Sequence, residues 1–265
     1  MIKLAVSDMD GCLLDPEGKL PDDFHEVLDL MEEKNCIFAA ASGRGQTGIR
    51  MPIQDDMKKI AAISDNGSFV VYQGKKLFLT APEQSLLLPV IAEAKKHPNL
   101  IPVLCAADNA YLSKDSVLDE RTIDELHKYY PSWILLDDLT GFPEPIIKIA
   151  LLYFDDIEKN IYPYFAQFNG PITVKVTAYV WIDIFNPNIS KGTGIHELQK
   201  ALGIRREETI VFGDYLNDIS MKDYAEHSFA VANAHPDVKE AFTDIIGSNS
   251  ENSVLHTIRK YMQQQ

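Results

Sequence analysis

Two short apolar runs, far apart in the chain, each stop at a carboxylate: IKLAVSDM at residues 2–9 and TIVFGD at residues 209–214. A nearly continuous run of Val, Ile, Leu and Ala is the pattern of a strand buried on both faces, which is found in parallel sheets covered by helices. The segments beside these runs alternate accordingly. Residues 21–35 place Phe24, Val27, Leu28 and Met31 at helical spacing with acids on the opposite face. CIFAAAS (36–42) reads as a second buried strand that opens into Gly43-Arg44-Gly45, with a weaker helix over residues 45–57. IAAIS (60–64) is a third strand, Asp65-Asn66-Gly67 turns the chain, and residues 69–80 read as a hairpin folded at Gln73-Gly74. After the second acid-ended run come a helix over 217–225, a strand at FAVAN (229–233) and two further helices; before it, residues 191–202 form a helix closed by Gly203.

The middle of the chain has a different rhythm. Helices are expected over residues 83–97, 116–130 and 156–169. Strands are expected within 101–113 (two, about Asp108-Asn109), 133–139, 146–154 and 172–185 (a pair). This reads as a separate α+β unit with a mostly antiparallel sheet. Neither end of the chain alone supplies enough strands for a complete open sheet. The expected architecture is therefore α/β, a Rossmann-like doubly wound parallel sheet core. Residues 1–80 and 187–265 form that core, and residues 81–186 form an inserted α+β domain.

The formal net charge is −14 over 265 residues. So acidic a surface repels phosphate backbones and anionic lipid, which argues against nucleic acid and membrane as partners. Cys12, Cys36 and Cys105 are three in number and far apart. A disulfide framework or zinc site is not expected, and a cytoplasmic location, as monomer or homodimer, is.

In open α/β sheets, ligands bind outside the carboxyl ends of the strands. That edge collects Asp8 and Asp10, then Ser42-Gly43-Arg44, Asn66-Gly67, and Gly213-Asp214 with Asn217 and Asp218; Lys191 opens a late helix. Carboxylates are hard oxygen ligands that suit magnesium, Mg2+. A metal and Lys191 offset charge on a phosphoryl group. Ser42 and the amides at Gly11 and Gly43 can donate to phosphate, and the first amides of the Lys191 helix add a positive dipole end. One carboxylate can attack phosphorus while another, two residues away, moves protons. The set points to phosphoryl transfer. Arg44 and Asn66 face either substrate or only their own surroundings; His196, Trp133 and Trp181 read as packing residues.

This set resembles the haloacid dehalogenase (HAD) superfamily of aspartyl phosphatases. Asp8-Met9-Asp10-Gly11-Cys12-Leu13 matches its first motif, Ala41-Ser42-Gly43-Arg44 its second, Ser190-Lys191-Gly192 its third and Gly213-Asp214-Tyr215-Leu216-Asn217-Asp218 its fourth. The resemblance implies Asp8 as nucleophile, Asp10 as acid/base that also lends its backbone carbonyl to the metal, and Asp214 as metal ligand supported by Asn217 and Asp218. Phosphate binding falls to Gly11, Ser42, Gly43, Arg44, Asn66, Lys191 and Asn217. The position of the inserted domain is similar to the Cof-type branch, subfamily IIB with a C2B cap, whose members mostly act on small phosphorylated metabolites such as sugar phosphates, and the resemblance implies a substrate of that kind. Cys12 stands where Thr is usual, and Tyr215 where a small or polar residue is common. The same nucleophile also serves phosphomutases. A protein that accepts phosphate on Asp without turnover is the alternative from outside the enzymes.

Overall fold

The computed structural model describes all 265 residues. In chain order it begins with β1 (Leu4–Asp8), α1 (Phe24–Glu33), β2 (Ile37–Ala41), α2 (Gln46–Ile53), β3 (Ala61–Ser64), β4 (Phe69–Tyr72) and β5 (Lys75–Leu79). Next come α3 (Gln84–Ala94), β6 (Ile101–Cys105), β7 (Ala110–Ser113), α4 (Glu120–His127), β8 (Ile134–Leu136) and β9 (Lys148–Leu152). They are followed by α5 (Ile157–Asn160), α6 (Tyr162–Phe165), β10 (Thr173–Ala178) and β11 (Trp181–Phe185). The chain closes with α7 (Lys191–Leu202), β12 (Thr209–Gly213), β13 (His227–Ala230), α8 (Pro236–Ala241), β14 (Asp244–Ile245) and α9 (Ser253–Gln263). Two compact units result: Met1–Phe78 with Ile189–Gln265, and Leu79–Asn188. Their division lies two residues from each boundary expected from sequence.

The first unit is built on an eight-stranded sheet of order β14-β13-β12-β1-β2-β3-β4-β5. β1 is parallel to both neighbours, with Leu4 opposite Thr209 on β12 and Ile37 on β2. Strand order runs outward from β1 in both directions, so the topological switch lies between β1 and β12, at Asp8 and Gly213. One sheet face packs Phe24, Val27 and Met31 of α1 with Leu255 and Ile258 of α9. The other packs Ile195 and Leu198 of α7. Helices cover both faces, as the apolar strands require. The β3–β4 turn is tight: a Cβ on Gly67 would lie 2.1 Å from the Ser190 carbonyl oxygen.

The second unit carries a six-stranded sheet of order β10-β11-β9-β6-β7-β8. It is antiparallel except for β7 with β8. One face holds Leu87, Val90 and Ile91 of α3 with Phe165 of α6; the other holds Leu126 of α4 against Trp181. The Trp181 indole N–H donates to Glu125 at 2.8 Å.

Four helices differ from the sequence expectation, the span 45–57 ending as α2 at Ile53 before a 3-10 turn over Gln54–Lys58. The span 156–169 is broken into α5, α6 and a 3-10 turn, because Pro163 has no N–H to continue the ladder begun at Asp156. The span 116–130 shortens to α4, since Asp119 caps it by accepting from the Thr122 amide. The span 217–225 is a 3-10 helix over Ile219–Tyr224.

Candidate active site

Asp8 is the last residue of β1 and is buried. Lys191 is the first residue of α7, whose start is set by a capping box between Ser190 and Thr193. That cap aims the lysine along the sheet edge. Its Nζ donates to Asp8 Oδ1 and to Asp218 Oδ1, each at 2.6 Å, with the lysine only 1% exposed. Asp218 is fully enclosed, and its Oδ2 accepts from the amides of Asp214 (2.9 Å) and Tyr215 (3.0 Å). The loop after β12 thus wraps around one carboxylate, and it closes tightly because a Cβ on Gly213 would meet Asp218 Cβ at 2.6 Å.

Asp8, Asp214 and Asp218 each offer an oxygen within 4.8 Å of the others. Three acids surround one lysine, and their titration reflects it. Burial pushes Asp8 well up, Asp218 pushes further, and Lys191 offsets part of this. Burial likewise pushes Asp214 up to about 6, against a hydrogen bond with Asp8. Burial would lower Lys191, but the charges of Asp218 and Asp8 outweigh it and raise its pKa. The surplus of negative charge matches a divalent cation. Asp214 Oδ1 is buried with no hydrogen-bond partner, as a ligand atom awaiting a cation would be. Gly11 makes room for that carboxylate: at φ +75°, its Cβ would stand 2.5 Å from Asp214 Oδ2.

Asp10 is held apart from this cluster. Its carboxylate is half exposed and is gripped at both oxygens by Arg44, Nε to Oδ2 at 2.8 Å and Nη2 to Oδ1 at 2.6 Å. Arg44 also donates to the Gly48 carbonyl at 3.3 Å. Ser42 is 1% exposed, and its Oγ accepts from the Arg44 amide at 3.1 Å. It does not cap α2, whose N-cap is Gly45. Asn66 adopts φ +55° and accepts from Asn217 Nδ2 at 3.0 Å, so it both turns the chain and ties β3 to the loop after β12. Gly43 lies under Asn66, 3.3 Å from Nδ2 to a Cβ placed there.

The first amides of α7 are engaged within the protein. Gly192 N–H donates to Ser220 Oγ (3.1 Å) and Thr193 N–H to Ser190 Oγ (3.2 Å), so these two are not free for phosphate as the sequence suggested. Cys12 is 1% exposed with Sγ 3.6 Å from Ser7 Oγ, and burial drives its thiol pKa up. Tyr215 is exposed, edge-on to His235 at 5.8 Å, and His196 packs on Tyr224 at 5.4 Å. Sequence reasoning missed Asn233 and Asn249, which bond the loop after β1 at the Gly11 and Leu14 carbonyls. Asn233 follows the carboxyl end of β13, so the edge rule that found the other residues reaches it too.

The profile of haloacid dehalogenase-like hydrolases matches residues 5–258. The chain belongs to that family, and it is a phosphatase-class enzyme. It is 29% identical over 263 residues to the 5-amino-6-(5-phospho-D-ribitylamino)uracil phosphatase of Escherichia coli, covering 98% of this chain and 96% of that one. In fold it is similar to a haloacid dehalogenase-like hydrolase from Bacteroides thetaiotaomicron, with TM-score 0.86 and 23% identity over 98% of this chain and 100% of the other. It is also similar in fold to a sugar phosphatase of HAD subclass IIB, with TM-score 0.79 and 20% identity over 98% of both chains.

Proposed function

We propose that the chain is a magnesium-dependent phosphohydrolase that removes phosphate from a small sugar- or polyol-type phosphomonoester through a phosphorylated Asp8. The observation that carries this reading is the buried cluster of Asp8, Asp214 and Asp218 around Lys191. Asp8, the Asp10 carbonyl and Asp214 would hold the cation, with Asn217 and Asp218 supporting them. When bound, magnesium supplies positive charge to the phosphoryl oxygens and to Asp8.

Lys191 fixes the Asp8 carboxylate at Oδ1 and lowers repulsion as an anionic substrate arrives. Asp8 attacks phosphorus, the P–O bond to the leaving group breaks, and that oxygen takes a proton from Asp10. Asp10 has to exchange Arg44 for the leaving-group oxygen to do so. Water then attacks the aspartyl-phosphate and gives its proton to Asp10, and phosphate departs with Asp8 restored. Ser42, Arg44, the Gly11 and Gly43 amides and Asn66 orient the phosphoryl group. The inserted unit serves as the cap that selects the rest of the substrate.

The name of the Escherichia coli relative specifies a phosphorylated ribityl chain, and the subclass IIB structure is of a sugar phosphatase. Both favour a primary sugar or polyol phosphate for this chain. A screen with magnesium across sugar phosphates, phosphorylated ribityl compounds, nucleotides, phosphoglycolate and pyridoxal phosphate tests this. Phosphate release from the first two groups, abolished in Asp8→Asn, is the expected result. Wild-type release by Asp8→Asn would sink the mechanism, and turnover restricted to nucleotides would sink the substrate class.

A further inference from the structure

The segment between β13 and the 3-10 turn at Asn249–Glu251 lies outside every motif named above, yet it bonds to both loops of the acid cluster. Asn233 Nδ2 donates to the Gly11 carbonyl at 2.7 Å. Its Oδ1 accepts from the Asn249 amide at 3.0 Å, and Asn249 Nδ2 donates to the Leu14 carbonyl at 2.9 Å. The Leu14 amide in turn donates to Met9 O at 2.8 Å and closes the loop that carries Asp10 and Gly11. Two residues after Asn233, the His235 amide donates to the Asp214 carbonyl at 2.8 Å. One short segment therefore fixes the backbone on both sides of the cleft.

We infer that Asn233 is a positioning residue for the divalent cation: by holding the Gly11 carbonyl, it sets where the Asp10 carbonyl points relative to Asp214. This rests on the metal-dependent reading above. The Asp10 and Gly11 carbonyls are separated only by the Asp10–Gly11 peptide and the Gly11 φ and ψ, and Gly11 sits at φ +75° with ψ −4°. A glycine at that φ moves readily unless something outside it pins the next carbonyl. Asn233 is the side chain that does so, in the way outer-shell partners orient metal ligands. The Gly11 peptide also lies against Asp214, where a Cβ would be 2.5 Å from Oδ2, so a shift of this loop changes the cleft directly. Asn233 is itself exposed, whereas Asn249 is buried at 7%. Replacing Asn233 thus perturbs the loop with little cost to the core, which separates positioning from folding.

The test is titration of metal-free protein with Mn2+, read by calorimetry, on wild type, Asn233→Ala, Asn233→Gln and Asp214→Ala, with a thermal melt of each. Asn233→Ala is expected to weaken Mn2+ binding by about 10-fold or more. Its melting temperature should stay close to wild type, and Asn233→Gln, which keeps an amide donor, should recover part of the affinity. Mn2+ affinity within twofold of wild type in Asn233→Ala overturns the inference. Equal affinity in Asp214→Ala and wild type overturns the metal reading itself, and is told apart because it does not involve Asn233.

Discussion

Each unit of this chain buries a lysine against a carboxylate, and the two burials differ in geometry and in the acids gathered at the site. In the first unit Lys191 meets Asp8 and Asp218 at 2.6 Å each, with Asp214 beside them. In the second, Lys148 meets Asp183 at 3.4 Å, on the sheet face that also carries Ala150 and Trp181. A lysine–carboxylate contact of this kind can be closed into a core. Three acids around one lysine leave a surplus, and burial raises the cost of that surplus. Burial of charge by itself therefore does not mark a site; unbalanced burial, with an orphaned oxygen on Asp214, does.

The comparison breaks first at Asp8. Asp8→Asn keeps the shape but removes the oxygen proposed to attack, and turnover should fall by roughly 10⁴-fold or more while circular dichroism is unchanged. Equal activity would place the chemistry elsewhere. Gly11→Ala forces a Cβ against Asp214 at 2.5 Å and strains a positive φ, and an expected loss of about 10²-fold in kcat/KM would be read in the same phosphate-release assay.

The two lysines then separate by stability. Lys148→Met alone strands Asp183 and should cost about 3–5 kcal/mol in urea denaturation, while adding Asp183→Leu should recover part of it. Lys191→Met should not be rescued by Asp8→Asn in metal-free protein, because Asp214 and Asp218 remain. Rescue there would mean that the cluster is balanced after all.

The smallest effect is in pH. Asp214 is raised to about 6 from an ordinary value of 3.8, and Asp8 is raised as well. The folded state therefore holds protons that the unfolded chain has released. That stabilisation is complete below about pH 4 and is lost as pH rises through about 6. Metal-free protein should melt a few degrees lower at pH 7 than at pH 5, Asp214→Asn should flatten that slope, and magnesium should reduce it. The charge comparison would lose support if melting temperatures in metal-free protein rose across this range.

Local signals carried much of the architecture. The helix over 191–202 keeps its expected ends, with Gly203 closing it as the sequence predicts and Ser190 capping its start. The acid-ended runs at 2–9 and 209–214 form parallel strands buried on both faces, as their apolar pattern predicts, and they lie beside each other. The span 156–169 departs from the single helix expected because Pro163 interrupts the ladder. At the site, the edge rule brought out Asp8, Lys191, Asp214 and Asp218. It did not reveal that Asp10 would sit in the grip of Arg44, or that Asn233 and Asn249 would hold the loop carrying Asp10. Those pairings depend on loop paths that no periodicity encodes.

By itself, then, the sequence determined which residues are candidates for the chemistry and which strands bear them, since strand patterns and caps act over a few neighbouring residues. Only the tertiary structure decided who faces whom. Lys191 and Asp8 are 183 positions apart, and their contact exists because β1 pairs with β12 and α7 packs on the sheet between them. The same packing buries three carboxylates with one lysine, and the contact between Lys148 and Asp183 in the second unit gathers no such cluster of metal-ligating oxygens.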